Sequence, residues 1–133
     1  MDASLVTLTK YGSINHLSQE AILAHNCGIS YHPFEGTAND VSERQRLVNS
    51  LGTTNRILLL QNQGPSVAGT TLEQAFAGMY FVTRASTYQI NALASVGGDI
   101  LHMSTTKQVE LFKNAPKPFM ILLKRELNTI LIK

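Results

Sequence analysis

Apolar residues recur at three- and four-residue steps through the middle of this chain of 133 residues. The row, in which the small Ser86 takes one place, consists of Leu72, Ala75, Phe76, Met79, Val82, Ser86 and Ile90. Thr70 and Glu73 form a capping-box pair before the row, and Gly97-Gly98 closes it. This pattern predicts an amphipathic helix from about Thr71 to Leu93 that packs across a sheet.

Two shorter helices are predicted upstream by their start and stop signals. Ser18 precedes a short helix that runs to about His25. Asp40, with Glu43 three residues later, forms another capping pair before a partial apolar stripe that Gly52 ends.

The sequence pattern specifies the secondary structure of the two ends of the chain less clearly. Thr105, with Gln108 three residues later, predicts a capped helical segment that ends near Pro116. Residues 2–11 fit a strand or a helix equally well. The apolar block Phe119–Ile132 also fits either, and its Leu, Lys and Glu content favours a helix.

Strands are predicted at two places between these helices. Gly28–His32 is a short strand candidate, and Arg56–Leu60 is a continuous apolar run of the kind that is buried on both faces of a sheet. A further short strand follows the polar tetrad Gln61–Gly64. Strands that alternate with helices predict an α/β fold, and without repeats or a long linker residues 1–133 form a single domain.

The amino-acid composition indicates which broad class of protein this is. The hydrophobic content of 44%, the charged content of 15% and the net charge of +2 are typical of a globular protein that does not bind nucleic acid. No apolar run reaches the roughly 20 residues of a transmembrane helix, and the N-terminus lacks the pattern of a signal peptide. The single Cys27 excludes an internal disulfide. We expect a cytoplasmic protein.

Two groups of residues are candidate sites. The tetrad Gln61, Asn62, Gln63 and Gly64 stands where α/β folds commonly bind ligands, although its amides also suit the satisfaction of backbone groups at a strand end, which we favour. The soft ligands His25, Cys27 and His32 would suit zinc if a turn brought them together. A buried thiol with two ordinary histidines is the interpretation that we favour. His16 and His102 are isolated in the sequence.

Several segments, in this order, resemble the class II aldolase/adducin family over about residues 28–98. They are Gly28–Gly36, Glu43–Leu47 followed by Leu51-Gly52, Leu58–Gly64, Glu73–Phe76 and Gln89–Gly98. The last of them is more similar to adducins than to the sugar-phosphate aldolases. The resemblance implies a three-layer α/β/α domain, truncated at its N-terminus relative to the family.

The same resemblance implies that the catalytic chemistry is missing. Family enzymes bind a divalent metal through a histidine where Gln63 stands here, and an amide lacks the basic nitrogen of imidazole. Their upstream His-x-His pair and glutamate have no counterpart in residues 1–11. Tyr31 lies near a proton-donating tyrosine of some aldolases and is a weak catalytic candidate. We expect no cofactor, with zinc as the alternative.

The first functional hypothesis is therefore a non-enzymatic adducin-like scaffold, since adducins associate with the actin-spectrin cytoskeleton. The basic adducin tail, which would support direct actin binding, is not visible in this sequence. The second is a metal-dependent aldolase or epimerase, or a fragment of one, and the third is a small-molecule binder that uses the Gln61–Gln63 pocket. Truncation would leave an apolar sheet edge, so we expect a homo-oligomer or pairing with another chain.

Overall fold

The computed structural model describes residues 12–35, 41–96 and 102–114 of the chain. Its helices are α1 (Gln19–Asn26), α2 (Val41–Leu51), α3 (Leu72–Val96) and α4 (Thr105–Asn114). Its strands are β1 (Ile29–His32), β2 (Ile57–Leu60) and β3 (Gly64–Val67). The alternation of helices and strands confirms the predicted α/β class. The predictions for residues 2–11, Asp40, Gly97-Gly98 and Phe119–Ile132 concern positions outside the described residues.

The three strands form one sheet in the order β1-β2-β3. Strands β1 and β2 are parallel, with Ile29 opposite Ile57, and α2 lies between them along the chain. Strands β2 and β3 are antiparallel and are joined by a tight turn, with Leu60 opposite Gly64. The carboxyl ends of β1 and β2 therefore lie at the same end of the sheet as this turn.

Strand β2 is buried on both faces, as its continuous apolar sequence predicted. Ile57 and Leu59 belong to the main hydrophobic core, together with side chains of α1 and α3. Leu58 and Leu60 lie on the opposite face, against Leu47 of α2. Each buried aliphatic side chain contributes about 1.5–3 kcal/mol to stability. The sheet thus separates α1 and α3 from α2, which confirms the three-layer arrangement.

Helix α3 confirms the predicted long helix, but its buried side differs from the predicted one. Val82 and Ser86 are fully buried as expected. Leu72, Phe76 and Met79 are exposed, and the first half of the helix buries Ala77, Gly78 and Phe81 instead. The buried residues of α3 are Ala77, Gly78, Phe81, Val82, Ala85, Ser86 and Gln89.

Gly78 explains why the buried side of α3 differs from the predicted one. A Cβ atom at Gly78 would lie 2.9 Å from Cγ1 of Val67 on β3, which is closer than real carbon contacts come. Helix and strand approach each other so closely there because the helix presents its smallest residue to the strand. A larger side chain at this point would force the two elements apart.

The helix caps are partly as predicted. Ser18 caps α1, since its Oγ accepts a hydrogen bond from the Ala21 amide at 3.2 Å. For α3 the predicted pair of Thr70 and Glu73 is wrong by one residue: the Gln74 amide donates to Thr71 Oγ1 at 3.3 Å, and the helix begins at Leu72. Gln74 Oε1 in turn accepts from the Thr70 amide at 3.2 Å.

Helix α4 shows a shift of one residue in the opposite direction, toward the N-terminus. Ser104, and not Thr105, precedes the first helical residue, and its Oγ accepts from the Lys107 amide at 3.4 Å. The hydrophobic and polar pattern identifies that a helix starts here, whereas adjacent Ser and Thr residues have the same capping chemistry, so the pattern cannot decide between them.

A buried glutamine attaches the segment before α1 to the long helix. Gln89 is fully buried, its Oε1 accepts from the Asn15 amide at 2.7 Å, and its Nε2 donates to the Ser13 carbonyl at 2.8 Å. Both halves of the amide are therefore used on one stretch of backbone. The neighbouring Ile14 is buried in the main core.

Candidate functional site

The tetrad Gln61–Gly64 forms the turn between β2 and β3. The Gln63 amide donates to the Leu60 carbonyl at 3.1 Å, so the turn spans Leu60–Gln63. Asn62 occupies its third position with a φ of 62°. Such a turn needs a residue that tolerates the left-handed region, which asparagine does better than other non-glycine residues. The backbone geometry thus accounts for Asn62 without any ligand.

Gln61 stabilises the chain that leaves β1. Its backbone amide donates to the His32 carbonyl at 2.9 Å, which continues the pairing of β1 and β2 by one residue. Its side-chain Oε1 accepts a hydrogen bond from the Phe34 amide at 3.3 Å. For this residue the structure supports the interpretation in which the amide satisfies backbone groups at a strand end.

Gln63, at the position where the resemblance implies a metal-binding histidine, has an exposed side chain. Its carboxamide offers a carbonyl oxygen and an NH₂ group and has no imidazole-like lone pair for a zinc-like ion. Gly64 follows as a buried residue with a φ of 128°, and it begins β3.

His32 is the most deeply buried ionisable side chain at this end of the sheet, with 6% of its surface exposed. Its Nδ1 is 2.8 Å from the Ser50 hydroxyl on α2. Its Nε2 is buried without a hydrogen-bond partner and lies 3.6 Å from Glu35 Oε2. Sequence reasoning grouped this histidine with His25 and Cys27, and it missed the link to Ser50 because that residue is 18 positions away.

Glu35 is shared between His32 and an arginine of α2. Arg46 Nε donates to Glu35 Oε2 at 2.6 Å, and its Nη1 donates to the Ser42 hydroxyl at 2.9 Å. The hydrogen bond from Arg46 is the main cause that lowers the pKa of the Glu35 carboxyl. Glu35 is therefore an anion at neutral pH, and the guanidinium already compensates its charge.

Tyr31, the weak catalytic candidate, lies on the opposite face of β1 from His32, because successive side chains of a strand alternate. Its hydroxyl accepts a hydrogen bond from the Ile14 amide at 3.2 Å. Burial raises the pKa of the phenol. The side chain holds the segment before α1 against the sheet, and a catalytic role stays a prediction.

The three candidate zinc ligands lie in separate surroundings. His25 Nε2 is hydrogen-bonded to the Ile14 carbonyl at 2.9 Å. Cys27 is half-buried, and burial raises the pKa of its thiol. His32 lies at the far end of β1, on the order of 10 Å along the strand from its start. Among residues 12–35, 41–96 and 102–114, no three His, Cys, Asp or Glu side chains are grouped so that they could hold a metal ion.

Histidines that are isolated in the sequence meet in the fold instead. The His16 and His25 rings stack with their centroids 4.2 Å apart. Burial lowers the pKa of His16, and the charges of His25 and His102 lower it further. His102 comes close because the Met103 amide donates to the His16 carbonyl at 3.1 Å, which ties the start of α4 to this cluster.

A cavity of about 150 Å³ lies between α2 and the sheet. It is open to solvent, and it is lined by Leu47, Val48, Leu51, Leu58, Leu60, Ser66 and Ala68. Its apolar lining offers few groups that would orient a polar ligand. In the described residues no helix is both long enough and apolar enough to cross a membrane.

The family model described as "Class II Aldolase and Adducin N-terminal domain" matches residues 1–90. The match therefore begins upstream of the segment 28–98 on which the resemblance was seen. Human gamma-adducin is 34% identical over 97 residues, which are 72% of this chain and 14% of the adducin. A "Putative aldolase class 2 protein" from Caulobacter vibrioides is 39% identical over 71 residues, which are 53% of this chain and 27% of that protein.

The solved structures include a similar fold. The crystal structure of an aldolase II superfamily protein from Pseudomonas syringae has a TM-score of 0.79 and 28% sequence identity, and the match covers 96% of this chain and 53% of that one. This chain thus spans about half of that protein and smaller shares of its curated relatives. Matches in sequence and fold agree: the chain belongs to the class II aldolase and adducin family.

Proposed function

We propose that this chain is a non-catalytic interaction domain of the adducin kind, which acts by binding a partner protein. The observation that carries the proposal is the turn Leu60–Gln63, in which Gln63 stands where the family resemblance implies a metal-binding histidine. In this turn Asn62 takes the left-handed position and Gln61 bonds the Phe34 amide, so both residues serve the fold.

The donor chemistry of the described residues does not fit the family metal. A catalytic zinc ion uses three protein ligands from histidine, cysteine or a carboxylate, and the described residues bring no such group together. Glu35, whose carboxylate lies 3.6 Å from His32 Nε2, is already paired with Arg46. Removing a charged stabiliser from a reaction of this type costs several kcal/mol of barrier, so an amide in this position predicts a loss of orders of magnitude in rate.

The adducin relatives suggest the kind of partner. Human gamma-adducin and human beta-adducin are 34% and 33% identical to this chain over 97 and 93 residues. We infer a cytoplasmic, cytoskeleton-associated role from this likeness, with a protein of the actin-spectrin network as the partner. Since the chain spans 14% of gamma-adducin, this partner is a proposal for the domain and does not extend to the remainder of an adducin.

A metal-dependent aldolase is the second candidate, and one observation favours it. The highest identity among the relatives named above, 39%, is to the protein named as a putative class 2 aldolase. In that case the missing metal donors come from another chain or another segment of a longer product. The third hypothesis, a small-molecule pocket at Gln61–Gln63, is weaker because Gln61 uses its side chain on the Phe34 amide.

Metal analysis of the purified full chain decides between the first two candidates. The protein is dialysed at neutral pH against equal amounts of zinc and manganese, and the bound metal is then measured by elemental analysis. We expect much less than one metal ion per chain. One tightly bound ion per chain would overturn the non-catalytic assignment.

A restored histidine gives a sharper test of the same point. Gln63→His is expected to leave the chain without turnover of a phosphorylated ketose, because one imidazole does not make a metal site. Gln61→His is the matched control, since it adds the same side chain to the same turn at the wrong place. Turnover by Gln63→His but not by Gln61→His would show that an aldolase site is nearly complete. Pelleting with actin filaments and with spectrin tests the partner class.

A further inference from the structure

Helix α3 exposes a row of large apolar side chains on the side that faces away from the core. The exposed fractions in this α3 row are 83% for Leu72, 51% for Phe76, 36% for Met79 and 44% for Tyr80. Steps of three and four residues place them on one face of the helix. The opposite face is buried against the sheet and α1.

The α3 row is too concentrated to be the usual scatter of exposed apolar residues. Four such side chains expose on the order of 500 Å² of mainly apolar surface, given the areas of 150–250 Å² that aromatic side chains bury. A contiguous apolar patch of that size usually marks an interaction site. The core does not need these residues, since α3 packs through others, among them Ala77, Phe81 and Val82, so the row has another use.

We propose that the α3 row pairs with the α3 row of a second copy of this chain, with the two helices antiparallel across a two-fold axis. A two-fold axis at the level of residue 78 places Phe76 opposite Tyr80 of the second copy. By symmetry, Tyr80 then lies opposite Phe76 of the second copy. The Met79 side chains then meet close to the axis. Aromatic residues and methionine are the types enriched in such interfaces.

The charges that flank the row fit this arrangement. A helix turns by about 100° per residue, so Glu73 and Arg84 lie about 60° and 80° around α3 from Phe76, on the same flank. In an antiparallel pair across a two-fold axis, each flank meets the same flank of the other copy. The midpoint between 73 and 84 lies between residues 78 and 79, so the axis that pairs Phe76 with Tyr80 also brings Glu73 near Arg84 of the second copy.

Arg84 is held on this flank by a neighbouring residue. Its guanidinium lies 4.9 Å from the ring centroid of Tyr88 and donates a hydrogen bond to the Tyr88 hydroxyl. An arginine that is fixed along the helix loses less side-chain entropy when it meets a carboxylate. A salt bridge at the rim of an interface mainly fixes how the two partners are oriented and adds little affinity. Here it selects the antiparallel arrangement of the two helices.

The sheet edge at β3 is a poorer surface for self-association. The Ala68 amide donates to the Arg56 carbonyl, so the pairs of Leu58 with Ser66 and of Leu60 with Gly64 are the hydrogen-bonded ones. Pro65 belongs to the alternate set, whose backbone groups point outward. Its missing N–H therefore costs the sheet nothing and removes a donor from the outer edge, which discourages a further strand.

The area of the α3 row determines the affinity that we expect for the dimer. Two copies would bury roughly 1,000 Å², the lower end for a specific protein–protein interface. We therefore expect a dimer that dissociates in the micromolar range and not an obligate one. This inference goes beyond the proposed function, and either can fail alone, since metal analysis and pelleting do not measure self-association.

Analytical ultracentrifugation of the full chain tests the pairing. Between about 1 and 200 µM we expect the sedimentation coefficient to rise from monomer to dimer, as a micromolar constant requires. Phe76→Asp is expected to raise the dissociation constant at least about 100-fold, because it places a charge in the centre of the apolar contact. Val48→Asp is the matched control, since Val48 is 57% exposed on α2 and outside the α3 row.

The flanking charges give the sharper test. Glu73→Arg and Arg84→Glu are each expected to weaken the dimer about 10-fold, since each puts like charges together twice in its own homodimer. An equal mixture of the two variants is expected to recover the original association. In the mixed dimer the two substituted side chains meet with opposite charges at one end of the interface, and the original pair of Glu73 with Arg84 is kept at the other end. Circular dichroism verifies that each variant is folded.

Three results would overturn the proposal. They are a monomer throughout the concentration range, a dimer that Phe76→Asp leaves unchanged, and a pair of charge variants that do not recover when they are mixed. A dimer that only Val48→Asp disrupts would place self-association on the α2 side. Binding of a different protein to the α3 row of a strictly monomeric chain would likewise contradict pairing with a second copy.

Discussion

Single side chains decide how the segment before α1 is attached to the rest of the fold. Gln89 uses both atoms of its amide on the backbone of Ser13 and Asn15, and it is fully buried. The pattern of hydrophobic residues gives no hint of this, because a glutamine in a helix is an ordinary surface residue by composition. Its role depends on a partner that is more than 70 positions away.

Replacing Gln89 tests this attachment. Gln89→Leu keeps a side chain of similar size but leaves the Asn15 amide and the Ser13 carbonyl without their partner, so we expect the free energy of unfolding to fall by about 2–3 kcal/mol. Urea denaturation measures the change. Gln45→Leu is the control, since Gln45 bonds only to Asn49 on the surface and should change stability by less than about 0.5 kcal/mol. Equal effects of the two variants would contradict the buried role.

The histidine cluster predicts how stability depends on pH. The pKa of His16 is lower in the folded chain than its ordinary value of 6.5. The unfolded chain therefore binds more protons between these two pKa values, so stability is full above about pH 6.5 and is lost as the pH falls through that window. We expect the urea midpoint to be lower at pH 5.5 than at pH 7.5.

His16→Gln is expected to remove part of this dependence, because it removes the group whose proton affinity changes on folding. Glu35 is no competing explanation, since its pKa is lowered by Arg46 and it titrates in a more acidic range, below its ordinary value of 4.5. A urea midpoint that rises on acidification from pH 7.5 to 5.5 would be incompatible with the direction given for His16.

At the scale of elements, the sequence predicted the existence and order of the helices and strands well and the orientation of α3 only in part. Strand β2 and the Ser18 cap follow from local patterns, and both are confirmed. The row from Leu72 to Ile90 predicted a single core-facing side. It failed in the first half of the helix because Ala77 and Gly78 face the sheet there and allow close packing, while Leu72, Phe76 and Met79 remain outside.

The sequence predicted where the candidate site lies along the chain, but it did not predict which side chains meet in the fold. The tetrad indeed ends β2, and Asn62 takes the turn position that asparagine prefers. The pairs of His32 with Ser50 and of His16 with His25 join residues that sequence spacing does not relate. Catalytic, ligand and metal roles for Tyr31, the tetrad and the three candidate ligands stay predictions, as does a single domain over residues 1–133.

The contact between α3 and β3 can be tested at Gly78. Gly78→Ala adds a Cβ atom that would lie 2.9 Å from Val67 Cγ1, so the helix must shift away from the strand. We expect a net loss of about 1–2 kcal/mol, since overpacking costs about 1–3 kcal/mol and alanine regains up to about 1 kcal/mol of helix propensity.

A second substitution separates the cost of overpacking from the gain in helix propensity. Val67→Ala removes the opposing methyl groups, so the double variant with Gly78→Ala is expected to be less destabilised than the sum of the single ones. Thr83→Ala, on the exposed side of the same helix, is the control for propensity alone. Strict additivity of Gly78→Ala and Val67→Ala in urea denaturation would show that the predicted clash does not occur.

At the scale of the whole molecule, the two sides of the sheet are packed unequally. The side with α1 and α3 contains the continuous core, in which Ala24, Ile57 and Val82 have no exposed surface. The side with α2 contains the open cavity of about 150 Å³. A layer with fewer buried apolar contacts opens at a lower free energy than the layer that holds the core.

Hydrogen exchange of the whole chain tests this inequality. Backbone amides of α2 are expected to exchange through openings of lower free energy than those in the middle of α3. Ser66→Val should narrow the difference, because Ser66 lines the cavity from β3 and a valine there fills part of it and suits a strand. We expect about 0.5–1 kcal/mol more protection in α2 and little change in α3. If α2 and α3 exchange together in the unmodified chain, the two layers unfold as one unit and the inequality of packing has no energetic consequence.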